Sequence, residues 1–121
     1  VSQMVVLREK GGERILPIEI GIYEALAINR HISGEEMVRP MTHDLLSEVI
    51  ERLGGKLQRI VVNDLVEDKE GHGTFYGLLT VEQEGREIEI DSRPSDAIAL
   101  AVRVGCPIFV AEHVLSAVTG S

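Results

Sequence analysis

The stretch Arg86–Val110, REIEIDSRPSDAIALAVRVGCPIFV, decides how the 121-residue chain folds. Its first residues alternate charge with apolar side chains, Ile88 and Ile90 falling between Glu87 and Glu89. Successive side chains on a strand point to opposite faces, so this is a strand with one wet face. Asp91-Ser92-Arg93-Pro94 ends the strand and opens a helix over Ser95–Val104. Proline is tolerated in a helix's first turn because the N–H it lacks would be unpaired there anyway. Ile98, Ala101 and Val102 form the inward face, and the alanines at 97, 99 and 101 allow close packing on a sheet. Gly105 stops the helix, and Ile108–Val110 follows as a short buried strand.

Working outward, Arg86–Ile90 is the second arm of a hairpin whose first arm is Thr74–Val81, turning at Glu84-Gly85. A polar turn, Glu67–Gly73, separates it from a strand over Leu57–Val66 with the β-branched centre Ile60-Val61-Val62. Thr42–Leu53 reads as a helix, with Thr42 as N-cap, Asp44 in the dipole-favoured first turn and Gly54 as stop. Leu45, Leu46, Val49, Ile50 and Leu53 make one stripe at helical spacing, which predicts the buried face. Further upstream lie a connection over 31–41 and a helix over Ile22–Arg30 with Ile22, Ala25 and Leu26 inward. The chain opens on a hairpin, Met4–Leu7 and Arg14–Ile20, around Gly11-Gly12, and closes on a helix over Glu112–Val118. The expectation is a single α+β domain over 1–121, with mixed and antiparallel hairpins packed against about four helices and no regular βαβ repeat.

Twelve Lys and Arg against twenty Asp and Glu give a net charge of −8. That excludes a broad basic groove gaining its binding energy from released counterions. Phe75, Phe109, Tyr23 and Tyr76 are too few to build a stacking platform for bases. A lone cysteine, Cys106, excludes an internal disulfide and a Cys-rich metal site. The longest apolar run, Ala97–Val102, is too short to span a bilayer, and no secretory signal pattern opens the chain. A cytoplasmic protein without membrane contact is the expectation.

No phosphate loop, dinucleotide glycine fingerprint, Gly-x-Ser-x-Gly elbow or His-Glu-x-x-His motif is present. Of His31, His43, His72 and His113, only His43 has a chemical neighbour, Asp44. A His-Asp dipeptide can supply two metal ligands, and the same pair can equally be a helix start bonded locally. In Asp91-Ser92-Arg93-Pro94-Ser95-Asp96 two carboxylates bracket a strand-to-helix turn. Free N–H groups at the helix start and the Arg93 fork suit a phosphate. Asp91 and Asp96 could then hold Mg²⁺ or Mn²⁺ against it, as metal-assisted phosphodiester hydrolysis requires. A helix cap and a local Asp–Arg pair would use the same residues.

Five blocks then occur in order: Leu16–Gly21, Arg39–Leu45, Gly73–Tyr76, Asp91–Ala101 and Gly105–Val110. Over roughly residues 4–115 the chain resembles the bifunctional nuclease domain family of bacteria and plants, chiefly through Arg39-Pro40-Met41-Thr42-His43-Asp44 and Asp91–Asp96. Glu19 departs from the pattern, since relatives often carry Trp there. The resemblance implies an α+β fold, a homodimer, and hydrolysis of DNA and RNA. Carried over by motif, His43, Asp44, Asp91 and Asp96 are the candidate catalytic residues, while Arg39, Thr42, Arg93 and Ser95 are the candidate phosphate contacts. Leu16, Ile18 and Ile20 offer an edge strand for the dimer. The alternative function is a non-catalytic dimeric regulatory or interaction module, in which these residues are caps and ion pairs. Geometry separates the two, because the nuclease requires His43-Asp44 and Asp91-Asp96 to converge in one cleft.

Overall fold

The computed structural model describes residues 2–121. In chain order the elements are β1 (Gln3–Arg8), β2 (Ile15–Ile20), α1 (Ile22–Ser33), α2 (Thr42–Arg52), β3 (Lys56–Glu67), β4 (Gly73–Gln83), β5 (Arg86–Ser92), α3 (Pro94–Val104), β6 (Ile108–Val110) and α4 (Glu112–Thr119). The α+β expectation holds. β1 and β2 form an antiparallel ribbon with Val5 opposite Ile18. The larger sheet has the order β5-β4-β3-β6, antiparallel except where β6 runs parallel to β3. Its tightest turn is Glu84-Gly85, where φ values of 52° and 78° give the doubly positive geometry whose twist matches a two-residue hairpin.

α3 carries the chain from β5 at one edge to β6 at the other, packing on β3 and β4 beneath and on α1 and α2 above. Ile98 and Leu100 are each 1% exposed, and Ile60 and Val62 below them 0%. The alanines at 97, 99 and 101 are all buried as well, so α3 hides more than the expected single face. A helix apolar all round belongs in the interior, and its small residues let both layers approach closely.

The faces of α1 and α2 differ from expectation. α1 runs on to Ser33 and buries Ala27 and Ile28, while Ile22 and Leu26 stand 47% and 46% exposed. α2 buries His43 and Ser47, leaving Leu45, Leu46, Val49 and Leu53 between 40% and 70% exposed. The polar face turns inward because α3 presents Asp96 and Arg103 to receive it, and a buried polar group with partners is not penalised. The N-cap is Met41, not Thr42, and its backbone N–H donates to Asp44 Oδ2 at 3.0 Å. Ile108–Val110 proves to be an edge strand with Phe109 half exposed, because among the described residues only β3 pairs with it. Leu16 and Ile18 point into the core at 1% and 3% exposure, while β2 pairs with β1 alone among the described residues and so lies at an edge of its ribbon.

α4 and the chain end are fastened by Arg14, which donates to Glu9 Oε2 and Glu112 Oε2, each at 2.7 Å. These hydrogen bonds hold Glu9 below the ordinary carboxylate range and Glu112 at about 2, from an ordinary value of 4.5. A carboxylate whose folded pKa is depressed stabilises fully above its unfolded value and loses that contribution as pH falls through the folded one. Acid melts of the wild-type chain should therefore steepen between pH 4.5 and about 2, and Arg14→Gln should flatten that segment. Leu100→Ala, by contrast, should cost about 2–5 kcal/mol at any pH in denaturant melts.

Candidate active site

The two motif blocks meet where the start of α2 touches the start of α3. His43 Nε2 lies 2.9 Å from Asp96 Oδ1, across 53 residues of sequence. Because a carboxylate only accepts, Nε2 carries the hydrogen, and Nδ1 makes no hydrogen bond among the described residues. The other Asp96 oxygen accepts from Arg93, at 3.0 Å from Nε and 2.8 Å from a terminal nitrogen. Asp96 raises Arg93 above the ordinary guanidinium range, and Glu24 of α1 adds a second carboxylate at 3.8 Å. Gly77 on β4 permits this close turn, since a Cβ there would lie 3.1 Å from Pro94 N and from both oxygens of Ser92.

His43 and Asp96 form part of the wall of a cleft of about 760 Å³, shared with Thr42, Asp91, Ser92 and Arg93. Leu26, Leu46, Ile50 and Leu79 add apolar side chains to its lining. Asp91 is exposed at the end of β5. Ser92 Oγ is buried without a hydrogen-bond partner, and this free group at the cleft was not singled out by sequence.

Asp44 goes elsewhere. Consecutive residues on a helix project about 100° apart, and Asp44 turns into an adjoining cavity of about 540 Å³ with Arg39. There Asp44 Oδ1 receives His31 Nε2 at 3.1 Å and Arg103 Nε at 3.0 Å. The Met41 N–H above all, with His31 and Arg103, holds Asp44 below the ordinary carboxylate range against the opposing effect of burial. Arg103 also donates to Ser47 Oγ at 3.2 Å. Asp44 thereby joins α1, α2 and α3 behind His43. Ser95 is buried and lines another cavity, shared with Glu19 of β2, outside the His43 cleft. Thus the fold brings together His43, Thr42, Asp91, Arg93 and Asp96, and separates Asp44, Arg39 and Ser95 from them.

Asp91 and Asp96 do not fit a resident Mg²⁺ or Mn²⁺. Both Asp96 oxygens are engaged by cationic or donor groups. Among the described residues the one triad of metal-capable side chains with ligand atoms mutually within 4.8 Å is Asp68, Glu70 and His72, exposed in the β3–β4 turn.

A family model for the bifunctional nuclease domain matches residues 5–120. The chain belongs to the bifunctional nuclease domain family. An uncharacterized protein of Mycobacterium tuberculosis is 45% identical over 113 residues, covering 93% of this chain and 64% of that one. Bifunctional nuclease 2 of Oryza sativa subsp. japonica is 31% identical over 107 residues, 88% of this chain and 32% of its own length. Bifunctional nuclease 1 of Arabidopsis thaliana is 26% identical over 113 residues, 91% of this chain and 33% of that protein. The chain therefore spans less than two thirds of the mycobacterial relative and about a third of the plant proteins. No helix among the described residues is long and apolar enough to cross a membrane.

Within this bifunctional nuclease domain Arg30, His31 and Arg103 were missed as candidates. Arg103 had a signal, since Asp96, Leu100 and Arg103 recur at helical spacing on one side of α3. Two substitutions test the assignment of Asp44 to bracing. Asp44→Asn should cost about 1–3 kcal/mol in denaturant melts, because it weakens three charge-assisted hydrogen bonds at once. Asp91→Asn, at an exposed carboxylate with no side-chain hydrogen bond, should stay within about 0.5 kcal/mol of wild type.

Proposed function

We propose that this domain hydrolyses phosphodiester bonds of DNA and RNA, with His43 and Asp96 as its acid–base pair. The observation that carries the reading is the 2.9 Å contact between these residues, from separate helices, in the wall of an open cleft. His43 Nδ1 takes a proton from a water whose oxygen attacks phosphorus. Asp96 steadies the resulting imidazolium through Nε2–H. The P–O bond to the leaving oxygen breaks as Nδ1 returns the proton to it, so no proton is left over. Thr42 and the orphaned Ser92 hydroxyl stand in the same cleft to orient phosphate oxygens. Arg93, shared between Asp96 and Glu24, chiefly aims Asp96. The expected Mg²⁺ or Mn²⁺ has no part in this route.

A homodimer belongs to the same proposal, along the edge of β2 or on the apolar side chains left outward on α1 and α2, among them Tyr23 at 77% and Leu45 at 55% exposure. That surface also favours the second reading, a non-catalytic dimeric module in which His43–Asp96 is a helix-to-helix bond.

Cleavage of end-labelled single-stranded RNA and DNA decides between them. Activity should coincide with the protein on a sizing column, survive EDTA, and fall by roughly 100- to 10,000-fold in both His43→Ala and Asp96→Asn. Loss of cleavage in EDTA would overturn the metal-free route. Equal residual cleavage in wild type and both variants would overturn the nuclease and leave the interaction module.

A further inference from the structure

Five of the twelve lysines and arginines have a carboxylate within 4.0 Å: Arg14, Arg52, Arg59, Arg93 and Arg103. Of the others only Arg30, in the last turn of α1, is partly buried; the rest are exposed to water. A guanidinium half removed from water needs a compensating anion more than an exposed one does. Arg30 also borders two cavities, the His43 cleft and the adjoining one that holds Arg39. Glu35, Glu36 and Asp44 line that second cavity as well, yet none lies within 4.0 Å of Arg30 or Arg39, and Asp44 is occupied by His31 and Arg103.

We infer that Arg30, with Arg39 across the second cavity, binds the phosphate adjacent to the one attacked at His43. This rests on the nuclease reading and deepens it. The scissile phosphate lies in the first cleft, where Arg93 is already neutralised by two carboxylates. The strand then passes Arg30 into the second cavity, where its next phosphate meets two guanidinium groups free of carboxylate partners. Guanidinium recognises a phosphate diester by paired N–H donation, which a strand supplies at each linkage. Substrate is thus held by two consecutive phosphates of one strand, without the broad basic groove that the net charge excludes.

The test is calorimetric binding at low ionic strength, using a nucleoside 3′,5′-bisphosphate, the matching 5′-monophosphate and inorganic phosphate. Wild type should bind the bisphosphate about tenfold or more tightly than either other probe, the worth of one added charge-assisted contact. Arg30→Gln should erase that preference. Arg39→Gln, at an exposed loop residue whose loss does not threaten folding, should reduce it; Arg86→Gln on the far hairpin should leave it intact. Equal binding of all three probes by wild type, or a preference that survives in both Arg30→Gln and Arg39→Gln, would overturn the subsite. Inorganic phosphate binding as tightly as the bisphosphate would make this a free-anion site and overturn the strand path. Oligonucleotide cleavage separates the two claims. A KM raised about tenfold in Arg30→Gln at unchanged kcat supports both. Cleavage unaffected by Arg30→Gln sinks the subsite alone, and the bisphosphate preference without any cleavage sinks the nuclease alone.

Discussion

Helix α3 has no free side, and the rest of the molecule is arranged around that constraint. β3 and β4 take its lower face, and α1 and α2 cover the upper one. Its apolar residues are consumed in the core, so what remains to hold α2 is the charge at its two ends, Asp96 and Arg103. A polar group buried without a partner is costly, whereas a partnered one specifies a single arrangement. His43 and Ser47 are driven inward by those partners, and α2 has one rotation about its axis that satisfies both. The site is therefore a consequence of how the core closes. The side chains that fix α2 against α3 are the same ones that face the cleft.

Periodicity made much of this legible. The alternation over Glu87–Ile90, the double turn at Glu84-Gly85 and the glycine stops at 54 and 105 placed the hairpins and helices within a few residues of where they lie. The outward turn of the α2 leucines was not legible, because an apolar stripe points to the core only when nothing competes for that face. Here two partly buried hydrogen-bonded pairs and a hydroxyl compete and win. Such pairs join residues more than fifty positions apart, and no local pattern reports them. The spacing of Asp96 and Arg103 on one side of α3 was present in the sequence, but it gains meaning only with the matching His43 and Ser47 one turn apart on α2.

The same geometry sets what a His-Asp dipeptide and a twin-carboxylate turn can do. On α2, helical rotation sends His43 and Asp44 into different cavities. At the β5–α3 turn, Asp91 ends a strand in solvent while Asp96 lies within the first turn of a helix, held by Arg93 and His43. Asp44 is instead the point at which three helices are joined, and its depressed pKa reflects that bracing.

A net charge of −8 is compatible with phosphate as ligand, because the two act over different ranges. In physiological salt, charges further than about 8 Å apart are largely screened. What a bound phosphate senses is its immediate wall. In the His43 cleft that wall offers little free positive charge, since Arg93 is answered by Asp96 and Glu24. An anion must then find its partner in a cation the fold has left unanswered, and the partly buried one is Arg30. The overall acidity does slow the approach of a polyanion, so this surface is suited to selective capture at a point more than to rapid scanning along a duplex.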